Sequence, residues 1–200
     1  MCCSYNPCMS STFSIPPRAI RSEVYVRLAL ANKIAQEFPG QYAVARKPRI
    51  RELYGYAAIP EYIQNELYIP PEGTPPMGLE LDFSIMNTEN GKTMYGEVKN
   101  QKGYVSEETK ADGRGNAHER LAKYFTPGLL KALRRAGNIS DEHYPFWVVL
   151  TGDITRDFRH NQELAYWFDG AEGHYFCWVD MSDPEPLFNH FKKYIMPILD

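Results

Sequence analysis

No run among the 200 residues approaches the length of a membrane span, and the first twenty lack both a basic leader and a continuous apolar stretch. Crossing a bilayer takes roughly 20 consecutive apolar residues, so the expectation is a cytoplasmic protein with neither membrane anchor nor signal peptide. Cysteine is scarce and placed for no framework. Cys2, Cys3 and Cys8 crowd the N-terminus, and Cys177 stands far away in an apolar stretch; that is neither a disulfide pattern nor a zinc-ligand spacing. Residues 1–17 mix Cys, Ser, Pro and Asn without periodicity, which predicts a disordered tail ahead of one domain over 18–200. Internal repeats are absent too.

An excess of positive charge is also missing, since the formal net charge is -3. Taken whole, that argues against a nucleic-acid partner. The distribution argues the other way: residues 99–135 carry nine basic and four acidic groups (+5), against nine and ten (-1) over 1–98 and four and eleven (-7) over 136–200. A positive zone inside an acidic chain is either solvated decoration or the footprint of an anionic partner.

Hydrophobic periodicity supplies the elements. Val24, Leu28, Ala31, Ala35 and Phe38 recur at spacings of four and three, predicting an amphipathic helix that ends near Pro39-Gly40. Arg46-Lys47-Pro48-Arg49-Ile50-Arg51 is a short basic patch at a proline break, suited to phosphates or simply to solvent. From Leu79 to Met86 apolar residues alternate with Glu80, Asp82 and Ser84, predicting a half-buried strand. Asn87–Lys92, with Asn90-Gly91 inside, reads as a turn, and Thr93–Lys99 as the returning strand. Thr126-Pro127 opens a helix that Gly137 should stop. Phe146–Leu150 is a continuous apolar run suited to the middle of a sheet. A helix over Thr155–Phe168, a strand over Tyr175–Val179 and a helix over Pro186–Ile195 complete an α/β fold with a mixed sheet flanked by helices.

The hairpin proposes chemistry. With a symmetric turn, Met86 faces Thr93, Asp82 faces Glu97 and Glu80 faces Lys99. Directly opposed residues have Cβ atoms about 5 Å apart, and two carboxylates there repel unless a cation lies between them. Magnesium, an oxygen-seeking cation that keeps several waters, suits such a pair. Lys99 shares the face of Glu97 and can hold an attacking water and stabilise charge on a phosphate. Solvated hairpins carry the same alternation of charge, so this spacing by itself is weak.

Gly113-Arg114-Gly115-Asn116-Ala117-His118-Glu119-Arg120 proposes a reader of bases. Asn116 and Arg120, four apart, share a helix face with Glu119 beside them. Asn can contact adenine N6 and N7, Arg can serve guanine O6 and N7, and Glu119 can hold the Arg120 fork. The glycines around Arg114 permit close backbone approach. Equally, Asn116 and Glu119 fit a capping box, which needs no DNA; the two roles are compatible. His118 has no assigned task.

Gly115-Asn116-Ala117-His118-Glu119-Arg120 resembles the recognition element of the EcoRI-like branch of the type II restriction endonucleases. The longer run from Gly113, together with Phe125-Thr126-Pro127-Gly128-Leu129-Leu130-Lys131-Ala132, Pro145–Val149 and Gly152–Asp157, extends the resemblance from about Glu23 to the C-terminus. It implies the PD-(D/E)xK nuclease core, a homodimer, and Mg²⁺-dependent cleavage of both strands of double-stranded DNA at a palindrome. It also implies a cognate DNA methyltransferase for the same site. Asp82, Glu97 and Lys99 fall in the catalytic positions, with Asp82, Glu97 and the Val98 backbone carbonyl as metal ligands. Arg114, Gly115, Asn116, Ala117, Glu119 and Arg120 become the DNA-contacting set: Asn116, Ala117 and Arg120 for an inner AATT, and Arg114 for an outer C:G pair. The implied site is CAATTG, cut after the first base to leave 5′ overhangs. Leu81 stands where the motif's proline is expected, a position without chemistry. The rival readings are a related nuclease with another site or a repair role, and a DNA-binding protein that has lost cleavage; the second should lack one of the three catalytic side chains, and all three are present.

Overall fold

A 16-residue helix, α1 (Ser22–Glu37), opens the computed structural model, which describes residues 22–51, 58–75, 77–106 and 120–200. The tail expected over 1–17 lies outside the described residues. The helix is as expected, but its buried stripe is not. Leu28 and Ala35 face solvent, whereas Tyr25, Val26, Ala29, Leu30 and Ile34 are buried. Apolar side chains occupy both sides of this helix, so periodicity alone cannot choose; a stack between Tyr25 and Trp178, with centroids 5.6 Å apart, accompanies the face that is buried.

The sheet is built on strand β5. After β1 (Tyr42–Arg46), β2 (Arg49–Ile50) and the one-turn helix α2 (Glu61–Gln64), the chain forms β3 (Leu79–Glu80), β4 (Phe83–Asn87) and β5 (Thr93–Asn100). The single strand expected over Leu79–Met86 is thus two. β3 pairs with β2 in a separate two-stranded sheet, while β4 joins the main sheet, whose order is β1-β4-β5-β6-β7. The split follows from backbone partners: the Leu81 amide donates to the Pro48 carbonyl (3.1 Å), and the Asp82 carbonyl accepts from the Lys47 amide (3.2 Å). Between β4 and β5 the turn closes with Gly91 at φ 74, a left-handed conformation that glycine adopts without strain.

Helix α3 (Pro127–Gly137) then leads to β6 (Phe146–Thr151), α4 (Phe158–Trp167) and β7 (Tyr175–Trp178). β6 and β7 run parallel to β5, whereas β4 runs antiparallel to both of its neighbours, β1 and β5, giving the mixed sheet expected. Thr126 and Pro127 begin α3 as anticipated, although the Thr126 hydroxyl donates to the Lys123 carbonyl (2.7 Å) instead of capping the helix. The stop is Asn138, in the left-handed region, and not Gly137. Gly137 serves packing: a Cβ there would lie 2.4 Å from the Thr93 carbonyl. Asp157 caps α4, which therefore begins later than the Thr155 expected; Asp153–Arg156 forms a 3-10 turn instead. At the C-terminus α5 (Glu185–His190) widens into a π turn, Phe191–Ile195, and resumes as α6 (Met196–Leu199). Pro197 has no N–H to donate, and a wider preceding turn lets the helix pass it.

Both faces of β6 are buried, because alternate residues belong to different cores. Trp147 and Val149 pack with α1 and the C-terminal helices; Phe146, Val148 and Leu150 pack with Leu133 of α3, Leu164 of α4 and the Leu121–Phe125 segment. Among the described residues no helix is long and apolar enough to cross a membrane.

Candidate active site

At the end of the β4–β5 hairpin the ladder is interrupted at one residue. Phe83 pairs with Gly96, and the Asp82 amide donates to the same Gly96 carbonyl (3.1 Å), so two residues oppose one, as in a β-bulge. Gly96 makes room for this: a Cβ there would lie 2.1 Å from the Phe83 ring, which is fully buried. The register from Met86↔Thr93 to Phe83↔Gly96 is the one the sequence predicts. Beyond it the expected pairing fails. Asp82 does not stand opposite Glu97 in the ladder; its Oδ2 accepts from the Val98 amide at 2.7 Å. Glu80, expected opposite Lys99, pairs with Arg49 and accepts from the Lys47 ammonium at 3.0 Å.

The bulge nevertheless brings Asp82, Glu97 and Lys99 together. Glu97 is 9% exposed and accepts a hydrogen bond from the Lys99 ammonium. Asp82 is half-buried, and burial is the main reason its carboxyl titrates above the ordinary aspartate range; the charges of Glu97 and Glu23 act the same way, against the Val98 amide and Lys99. Two carboxylates facing each other in a partly desolvated pocket carry negative charge that one lysine does not balance.

Backbone alternation adds a third oxygen. The Tyr95 and Gln101 amides point toward β6 and the connection before it, donating to Pro145 and Thr151 (3.2 and 3.3 Å). Gly96 and Val98 therefore turn their backbone groups to the other edge, toward Asp82. Two carboxylates and a carbonyl, all hard oxygen donors, fit Mg²⁺, which binds through few protein ligands and retains water. Among the described residues no group of three or more His, Cys, Asp or Glu side chains gathers.

A residue the sequence reading passed over completes the surroundings. Tyr124 lies on a 3-10 turn, Ala122–Phe125, that follows Arg120, and is fully buried with its ring 5.0 Å from that of Phe146. Its hydroxyl faces Glu97, with the charge of Asp82 also felt, and burial beside these carboxylates pushes its pKa far up. Among the described residues the hydroxyl completes no hydrogen bond of ordinary geometry, and Glu97 is the partner it approaches. Leu121 and Tyr124, three apart and both buried, would have signalled a packed 3-10 turn, whose side chains eclipse at that spacing; nothing local signals the carboxylate it meets.

Of the expected base-reading set, Arg120 is exposed at the start of a described segment. Arg114, Gly115, Asn116, Ala117 and Glu119 lie outside the described residues, as does His118. The strand exit that leads toward them is fastened: the Gln101 carbonyl accepts from Ile154 (3.2 Å), and Asp157, 1% exposed, accepts from the Tyr104 amide at 2.7 Å while capping α4. That gives Gly152–Asp157, a stretch noted in the sequence only for its resemblance, a physical task.

One family of known proteins matches most of the chain. A family model described as type II restriction enzyme MunI matches residues 16–200. The type II restriction enzyme MunI of Mycoplasma sp is 42% identical over 164 residues, covering 80% of this chain and 81% of that protein. Among solved structures, the crystal structure of MunI restriction endonuclease in complex with cognate DNA matches with a TM-score of 0.74 at 40% identity, covering 86% of this chain and 89% of the other.

Proposed function

The chain belongs to the family of the type II restriction enzyme MunI and is a site-specific deoxyribonuclease acting on DNA; from that premise we propose that it cuts both strands of CAATTG after the first base, with Mg²⁺, as a homodimer of one endonuclease domain over 18–200. The observation that carries the reading is the convergence of Asp82, Glu97 and Lys99 at the bulged end of the hairpin.

In this reading Asp82, Glu97 and the Val98 carbonyl hold the metal. Bound there, Mg²⁺ supplies Lewis-acid polarisation of the scissile phosphate and neutralises charge in the transition state. The chain does the rest. The Val98 amide fixes one Asp82 oxygen and leaves the other free to bind. Glu97 holds the Lys99 ammonium in the site, where that ammonium can donate to an incoming water or to a phosphate oxygen. Arg114 reads the outer C:G pair; Asn116, Ala117 and Arg120 read the inner AATT; Gly115 allows close approach, and Glu119 holds the Arg120 fork. Two sites related by a two-fold axis match two scissile phosphates of a palindrome. The protein acts in the cytoplasm, where a cognate methyltransferase acting on the same sequence would protect the host DNA.

The test is to digest DNA of known sequence with purified protein and Mg²⁺ and sequence the ends. CAATTG ends with 5′ AATT overhangs are expected; ends at another sequence overturn the site. Repeating the digest with Arg114→Ala on duplexes changed symmetrically at outer or inner pairs tests the reader. A bidentate arginine is worth about 1–3 kcal/mol of discrimination per contact, so outer-pair selectivity should relax by roughly tenfold or more. Equal loss on every duplex would make Arg114 a phosphate contact.

A further inference from the structure

Glu97 has one described neighbour whose polar atom has no other use. The Tyr124 hydroxyl is buried and, among the described residues, approaches the Glu97 carboxylate without completing a hydrogen bond of ordinary geometry to it or to any other group. In most folded proteins a buried hydroxyl is satisfied, and one left unsatisfied needs a reason. Here Glu97 already accepts from Lys99. A carboxylate has lone pairs for several donors, so a second donor from the opposite side can fix its rotation without displacing the first.

The setting of Tyr124 makes it rigid. Its ring lies 5.0 Å from that of Phe146, in the buried cluster that also holds Leu121, Leu133 and Leu81, the residue next to Asp82. Its backbone lies on the 3-10 turn Ala122–Phe125, shortly after Arg120.

We propose that Tyr124 is a positioning residue for cleavage: its hydroxyl donates to Glu97 and holds that carboxylate in its metal-binding orientation. The proposal rests on Glu97 being a metal ligand.

Tyr124→Phe removes one oxygen and keeps the ring, so its packing is retained. Three quantities separate the possibilities: the melting temperature without metal, the Mn²⁺ dissociation constant measured by calorimetry on the protein bound to cognate duplex at a pH too low for turnover, and the single-turnover rate as a function of Mg²⁺. Partners of metal ligands typically change affinity by about 10–100-fold, so Tyr124→Phe should weaken Mn²⁺ binding by roughly tenfold and shift the half-saturating Mg²⁺ upward. The melting temperature should be unchanged or higher. In a Glu97→Gln background the same substitution should alter Mn²⁺ binding no further, as expected for groups acting through one another. Wild-type Mn²⁺ affinity and Mg²⁺ dependence in Tyr124→Phe overturn the proposal, as does a lower melting temperature with unchanged metal binding, which would make the tyrosine a packing residue. If Glu97→Gln itself binds Mn²⁺ and cleaves like wild type, the metal site has failed, and the proposal falls with it.

Discussion

The two faces of β5 carry opposite assignments. Met94 and Val98 pack into an apolar core beneath α1 and the C-terminal helices. Tyr95, Glu97 and Lys99 alternate with them and face the side of α3 and the Leu121–Phe125 segment, where carboxylates, an ammonium and the Tyr124 hydroxyl sit against apolar rings. One strand thus anchors the fold with one side and assembles charge with the other. The first side gains by removing apolar surface from water. The second is held together against its own electrostatics, since desolvation and like charge both raise the energy of the ionised Asp82.

Substitution on each face should separate activity from stability. Glu97→Ala should cost the most and in activity alone: the loss of a metal ligand removes several kcal/mol of transition-state stabilisation, about a thousandfold or more in single-turnover rate. Its melting temperature without metal should not fall, because Asp82 loses a like-charged neighbour; a destabilised protein would show that the carboxylate supports the fold. Met94→Ala, three residues away on the other face and fully buried, should do the reverse. A cavity of that kind costs about 2–5 kcal/mol, read from urea denaturation, with the single-turnover rate of folded protein largely kept. A severe rate loss without loss of stability would mean that the faces are not independent.

A smaller effect on the apolar side distinguishes the two by pH. His190 stacks on Trp147 with centroids 5.5 Å apart, and burial holds its pKa down at about 4, with His174 and Lys193 adding to the effect. The sign follows from linkage: the folded state binds its proton less well than the unfolded chain, whose histidine titrates near 6.5. Stability is therefore complete above that value, is lost as pH falls toward 4, and is lost no further below it. Between pH 7 and 5 the loss is on the order of 2 kcal/mol. His190→Phe should flatten the difference between urea midpoints at pH 7 and pH 5; an unchanged difference would place the acid sensitivity elsewhere.

Much of this was legible in the chain. The hairpin followed from alternation around Asn90-Gly91, and a symmetric turn gave its register from Met86↔Thr93 to Phe83↔Gly96, while the pairs expected beyond that, Asp82 with Glu97 and Glu80 with Lys99, do not form. The uninterrupted apolar run Phe146–Leu150 announced a strand buried on both sides, and it is one. The α1 stripe was misread because that helix is apolar on two sides, and only its neighbours could select between them.

What the sequence by itself determined is local: periods, turns, capping residues, and the residue types that can hold a cation or read a base. Tertiary structure decided where Asp82 points. The backbone groups of Lys47 and Pro48 break the strand at Leu81–Asp82, and Gly96 admits the Phe83 ring, so the carboxylate turns to the Val98 amide instead of pairing across the ladder. Tertiary structure also set Tyr124 against Glu97. No spacing encodes either fact, because both depend on backbone hydrogen bonds and packing between segments distant in the chain, which exist only once the core has closed.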